Sequence, residues 1–115
     1  MKMWIDPPNI YLYRDGVDFR KSINGLVLIV EQVLGYSPFE QALYVFCNRG
    51  RDKLKVLYWD KTGFALWYKR LEQDKFKWPR QHASPTLCLS PDQWQWLLSG
   101  YDVVGHRPVS YTSMS

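Results

Sequence analysis

The chain has 115 residues, 46% hydrophobic and 23% charged, the balance of a single globular domain with one core rather than of a disordered or fibrous chain. Its two cysteines, Cys47 and Cys88, show neither metal-ligand spacing nor a disulfide framework, and no apolar stretch has signal-peptide length or the roughly 18 residues of a membrane span, which together predict a reduced cytoplasmic setting. Net charge is +4 but uneven: Asn48 to Arg80 holds ten Lys or Arg against four acids, +6, leaving −2 for the remainder.

The first predicted element is a short strand, Ile10 to Tyr13, ended by the turn signal Arg14-Asp15-Gly16. From Phe19 onward, Phe19, Ile23, Leu26, Val27, Val30, Val33 and Leu34 recur at three- and four-residue steps, the pattern of one face of a long amphipathic helix. Asp18 is its natural N-cap and Gly35 its natural stop. Gly25 falls inside this helix at a cost of about 1 kcal/mol relative to Ala, which points to close packing by another element or to a tolerant site.

Three runs of strand chemistry follow, Ala42 to Cys47, Leu54 to Trp59 and Phe64 to Leu71. Their connections, Asn48-Arg49-Gly50-Arg51-Asp52 and Asp60-Lys61-Thr62-Gly63, are short, polar and glycine-bearing, as hairpins require. Phe76-Lys77-Trp78 offers a short fourth strand closed by Pro79, and Thr86 to Leu89 a brief extended piece. Ser90-Pro91-Asp92-Gln93 is a helix-start signature and Gly100 a stop, so Pro91 to Ser99 is predicted helical, with Trp94, Leu97 and Leu98 inward. The predicted fold is α+β: an antiparallel three- to four-stranded meander with one long helix packed on it and a short C-terminal helix. Residues 1–102 form its single domain, and 103–115 a flexible tail.

A search for catalytic chemistry finds little. The two histidines, His82 and His106, fall in predicted loop and tail without companions at ligand spacing, and no phosphate loop or nucleophile elbow is present. Asp52 and Asp60 sit at opposite ends of one predicted strand, roughly 26 Å apart at about 3.3 Å per residue, too far to share a metal pair as a nuclease would need. No catalytic residue, cofactor or metal is predicted.

Binding chemistry is better represented. Alternation puts Leu54, Val56 and Tyr58 on one side of the second meander strand and Lys53, Lys55, Leu57 and Trp59 on the other. In the third, Ala65, Trp67, Lys69 and Leu71 oppose Phe64, Leu66, Tyr68 and Arg70. Arg49, Arg51, Lys53, Lys55, Lys69 and Arg70 are the candidate phosphate contacts, and Trp59 and Trp67 the candidate stacking or partner-contact rings, provided that they share a face. The alternative is a solvated sheet face with tryptophans that meet a protein partner.

The order of motifs over about eighty residues resembles a known family. Asp18-Phe19-Arg20-Lys21-Ser22-Ile23-Asn24-Gly25-Leu26, Ser37-Pro38-Phe39, Leu43-Tyr44-Val45-Phe46-Cys47-Asn48-Arg49 and Asp52-Lys53-Leu54-Lys55-Val56-Leu57-Tyr58-Trp59-Asp60 lead the match. Gly63, Lys69-Arg70-Leu71-Glu72, Phe76-Lys77-Trp78-Pro79 and Leu97-Leu98-Ser99-Gly100 continue it. Together they resemble the small accessory protein, often called TnpB, encoded beside the transposase in bacterial insertion sequences of the sixty-six class, which is distinct from the RNA-guided nuclease of the same label. The resemblance implies a non-catalytic role in transposition, with strand transfer left to a separate transposase. With the basic and aromatic residues above, the expected partners are DNA and the element's transposase: the chain acts as a DNA-binding or complex-assembling factor, or alternatively as an adaptor that meets the transposase through exposed aromatics.

Overall fold

The computed structural model describes residues 9–79 and 84–100. In them Asn9–Tyr13 forms β1, Ala42–Cys47 β2, Lys53–Asp60 β3, Gly63–Arg70 β4 and Thr86–Leu89 β5, with α1 at Ile23–Leu28 and α2 at Pro91–Leu98. The expected tail at 103–115 and both histidines lie outside the described residues.

The hairpins β2–β3 and β3–β4 are antiparallel, as their connections predict. The sheet is larger and mixed, however, in the order β4-β3-β2-β1-β5. β1 lies parallel to β2, with Asn9 opposite Ala42 and Leu12 opposite Val45, and β5 runs antiparallel to β1, with Ile10 opposite Leu89. The all-antiparallel expectation is corrected here. Strand, helix and strand in succession form the long crossover that a parallel pair needs, whereas turn signals report only hairpins.

Being central, β2 is buried at all six positions, so its sequence ALYVFC is a continuous apolar run rather than an alternation. One face carries Tyr44, Phe46 and Leu57 against Leu26 and Val30 of the helical segment. The other carries Val45, Leu54 and Val56 against Trp94 and Leu97 of α2 and against Phe76 and Trp78. The Phe76-Lys77-Trp78 segment is no strand, contrary to expectation. It packs its two rings on the second face, with the Trp78 indole N–H donating to the carbonyls of Tyr13 and Arg14 at 3.1 Å each.

The long helix is shorter and less regular than the periodicity predicts. It begins at Ile23 after Ser22, and from Ile29 to Leu34 it continues in wider π-type turns until Gly35 stops it at φ 74°. The wider turns rotate Val33 out of the apolar face, leaving it 51% exposed. Asp18 caps a preceding turn instead, its carboxylate accepting from the Arg20 backbone N–H at 2.9 Å. At Gly25 the nearest neighbour is Lys21 rather than a packed element: a Cβ there would come 3.1 Å from the Lys21 Cβ. α2 has the predicted capping box, Ser90 Oγ accepting from Gln93 N at 3.1 Å and Gln93 Oε1 from Ser90 N at 2.8 Å.

The cysteines occupy contrasting places. Cys47 ends β2 fully buried, its thiol pushed up to about 12 by burial, while Cys88 on β5 is exposed. At pH 8 a thiol reagent should therefore label Cys88 rapidly and Cys47 at least about a hundredfold more slowly until the protein is unfolded. Two fast thiols in the native protein would contradict this packing.

Candidate functional site

Because β1 and β2 are parallel, both end at the same edge of the sheet, and the loops that follow them, 14–22 and 48–52, meet there. Val17 fastens one to the other, donating its N–H to the Cys47 carbonyl at 2.8 Å and bridging to Asn48. The second loop is braced by Asn48, whose Nδ2 donates to Asp52 at 2.7 Å and whose Oδ1 accepts from Lys53 N at 3.0 Å.

A groove of about 530 Å³ opens beside these loops, lined by Asp18, Phe19, Arg20, Arg49, Lys53 and Tyr68 among others. Register puts Tyr68 opposite Lys55 and Arg70 opposite Lys53, so all four share one face. The Phe19 and Tyr68 rings meet edge to face at 6.3 Å, and Tyr68 is 48% exposed.

Ion pairs at this end are local: Arg20 with Asp18 at 2.6 Å, Lys53 with Asp52 at 3.6 Å and Arg70 with Glu72 at 2.9 Å. Such exposed pairs stabilise little and are screened by salt, so they leave the cations open to other anions. Hydrogen bonds from Arg20 hold the Asp18 carboxyl well below the usual carboxylate range, and the Asn48 amide lowers that of Asp52. Both remain ionised at neutral pH.

Of the candidate phosphate contacts, Arg49 and Lys53 line the groove, and Arg70 shares the face of Lys53. Arg51 lines an adjoining cavity of about 180 Å³ with Arg49. Lys55 does not join them. It is only 9% exposed, its Nζ donates to the carbonyls of Phe19 at 2.9 Å and Lys21 at 3.3 Å, and it sits 4.7 Å from the centre of the Phe19 ring. Burial lowers its pKa. Lys69 pairs in register with Leu54 on the opposite face, where its ammonium donates to the Leu98 carbonyl at 3.3 Å at the end of α2.

Nor do the two tryptophans share a face. Trp67 pairs in register with Val56 and packs against the core on the α2 side. Trp59 shares the face of Lys53 but lies six strand residues away, about 20 Å at about 3.3 Å per residue. There it forms an aromatic cluster with Phe39 at 4.9 Å and Phe64 at 4.9 Å, with Phe39 56% exposed. The rings near the cations are Phe19 and Tyr68, which sequence reasoning placed in a helix face and a strand side. Alternation had already put Tyr68 beside Arg70, but only the register joins that side to Lys53.

Asp52 and Asp60 lie at opposite ends of β3, and no group of three His, Cys, Asp or Glu among the described residues could hold a metal ion. The molecule is thus a small α+β protein whose polar chemistry gathers in one loop cluster. The chain belongs to the family described as IS66 Orf2 like protein, which matches residues 8–108 and marks it as an insertion-sequence-associated accessory protein. It is 34% identical over 93 residues to the uncharacterized protein y4hO of Sinorhizobium fredii, covering 81% of this chain and 80% of that one. It is 37% identical over 86 residues to the uncharacterized protein y4jC of the same organism, covering 75% and 73%. No solved structure matches.

The Lys55 contacts have a consequence for stability. Lys55→Ala should lower the free energy of urea unfolding by about 1.5–3 kcal/mol, the usual worth of hydrogen bonds from a charged group, and Lys55→Met should recover only the packing share. An unchanged unfolding midpoint in Lys55→Ala would show that this side chain does not hold the 18–22 segment.

Proposed function

We propose that this accessory protein binds DNA of its element's ends, laying a phosphate backbone across Arg20, Arg49 and Lys53, with Arg70 beside them and unpaired bases against Phe19 and Tyr68. The observation that carries this reading is the gathering of cations and rings along one groove at the carboxyl ends of two parallel strands. Cations that track a backbone and rings that accept any base face are the chemistry of single-strand binding. The Phe19 ring, held in place under the Lys55 ammonium, offers a preset stacking surface.

Fluorescence anisotropy with labelled element-end DNA tests it. Affinity should fall steeply with salt, and Arg49→Ala with Lys53→Ala should lower the log–log slope by roughly 1 to 2. Tyr68→Ala should weaken single-strand binding by about 1–3 kcal/mol. No binding at low salt would end the proposal.

A second reading, contact with the transposase, is favoured by the Phe39, Trp59 and Phe64 cluster at the far end of the sheet, since aromatic rings commonly anchor protein interfaces. Co-purification with the transposase that resists nuclease and is lost in Trp59→Ala or Phe39→Ala would support it. Retention of the complex in both variants would remove this cluster from consideration.

A further inference from the structure

Arg49 borders two spaces, the groove already described and the smaller cavity of about 180 Å³, which Arg14 and Arg51 also line together with Gly16, Asn48 and Trp78. The groove has Asp18 in its wall; the smaller cavity has no carboxylate among the described residues of its lining. Asn48 and Trp78 in its wall are committed to other partners. The Asn48 amide is taken up by Asp52 and by Lys53 N, and the Trp78 N–H by the Tyr13 and Arg14 carbonyls, so Trp78 contributes an apolar wall.

The arginines stand on fixed backbone. Arg14 donates its N–H to the Pro85 carbonyl at 2.8 Å while its own carbonyl receives the Trp78 indole. Arg51 donates to the Asn48 carbonyl at 3.1 Å and accepts from Phe76 N at 2.7 Å. Arg49 packs against Gly16 so closely that a Cβ at Gly16 would come 3.1 Å from the Arg49 Cα. Arg51 also holds φ at 62°, the left-handed conformation that Lys61 adopts in the next hairpin loop, which fixes how it leaves the turn.

Three arginines line this one space, and like charges gathered so closely favour an anion among them. Arg14 has Asp15 at 3.0 Å, but among the described residues no carboxylate pairs with Arg49 or Arg51. The volume equals that of about six waters at about 30 Å³ each, room for a tetrahedral oxyanion and part of its hydration. Guanidinium forks match phosphate oxygens two at a time. The geometry points to a site for one phosphate group, formed by Arg14, Arg49 and Arg51, which shares Arg49 with the groove but not Lys53. It extends the DNA-binding reading if the phosphate belongs to a strand, yet stands without it if the phosphate is free.

The test uses the full chain with two probes. With inorganic phosphate, the melting temperature should exceed that in chloride at equal ionic strength. Arg14→Gln and Arg51→Gln should lose this rise, and the groove variant Lys53→Gln should keep it. Arg51→Gly suits the left-handed backbone, so it should fold at least as stably in chloride and still lose the response. With oligonucleotides, a 5′-phosphate should improve affinity roughly tenfold or more over a 5′-hydroxyl, in keeping with charge-assisted hydrogen bonds, and Arg51→Gly should erase the difference. A phosphate response without an end preference assigns the site to a free or internal phosphate. A phosphate response without any DNA binding keeps the site and removes the groove reading. Equal melting temperatures in phosphate and chloride with no end preference would overturn the inference, as would a full response in Arg51→Gly.

Discussion

The parallel pairing of β1 with β2 brings two polar loops, separated by an entire helix in the sequence, to one edge of the sheet. Val17 can then donate to Cys47, Gly16 can lie against Arg49, and the Trp78 indole can close over the end of β1. A meander alone would present only the Asn48–Asp52 loop at that edge. With the parallel strand beside it, the same loop gains Arg14, Phe19 and Arg20 as neighbours, and a crevice forms where open α/β sheets commonly receive ligands, outside the carboxyl ends of parallel strands.

The cations of β3 and β4 divide between architecture and solvent. Lys55 is turned to the backbone before α1, and its ammonium takes the Phe19 and Lys21 carbonyls. The helix starts at Ile23 rather than Phe19, and the Phe19 carbonyl, which a regular helix would bond to the Ile23 N–H, accepts from this lysine. Lys69 serves the end of α2 in a similar way. Net charge counts these two equally with Arg49 and Arg51, although their surroundings differ completely.

Much of the fold was legible. Strand β2 matched its apolar run residue for residue, β3 and β4 differed from expectation only at their ends, and the Ser90-Pro91-Asp92-Gln93 signature gave the capping box of α2. Each of these signals is local. What escaped was set across distance: the parallel partner of β1, the addition of β5, and the π-type turns that rotate Val33 outward. The site shared this fate. Alternation named the two sides of each strand, but which side of β4 faces the same way as Lys53 depends on register, and that choice put Tyr68 beside the cations and Trp67 among the core residues. The buried Lys55 was illegible for a related reason, since its acceptors lie in another element altogether.

The place of β1 between β2 and β5 bears on how the chain is made. Near the ribosome, β2, β3 and β4 can close as successive hairpins soon after each emerges, because their pairings are short in sequence. β1 is made before these hairpins, but its outer edge stays open until Thr86–Leu89 arrives, after which α2 follows to cover one face of the sheet. The last part of the described chain thus completes the first, and a nascent protein cut short before β5 would carry an exposed strand edge beside its loop cluster.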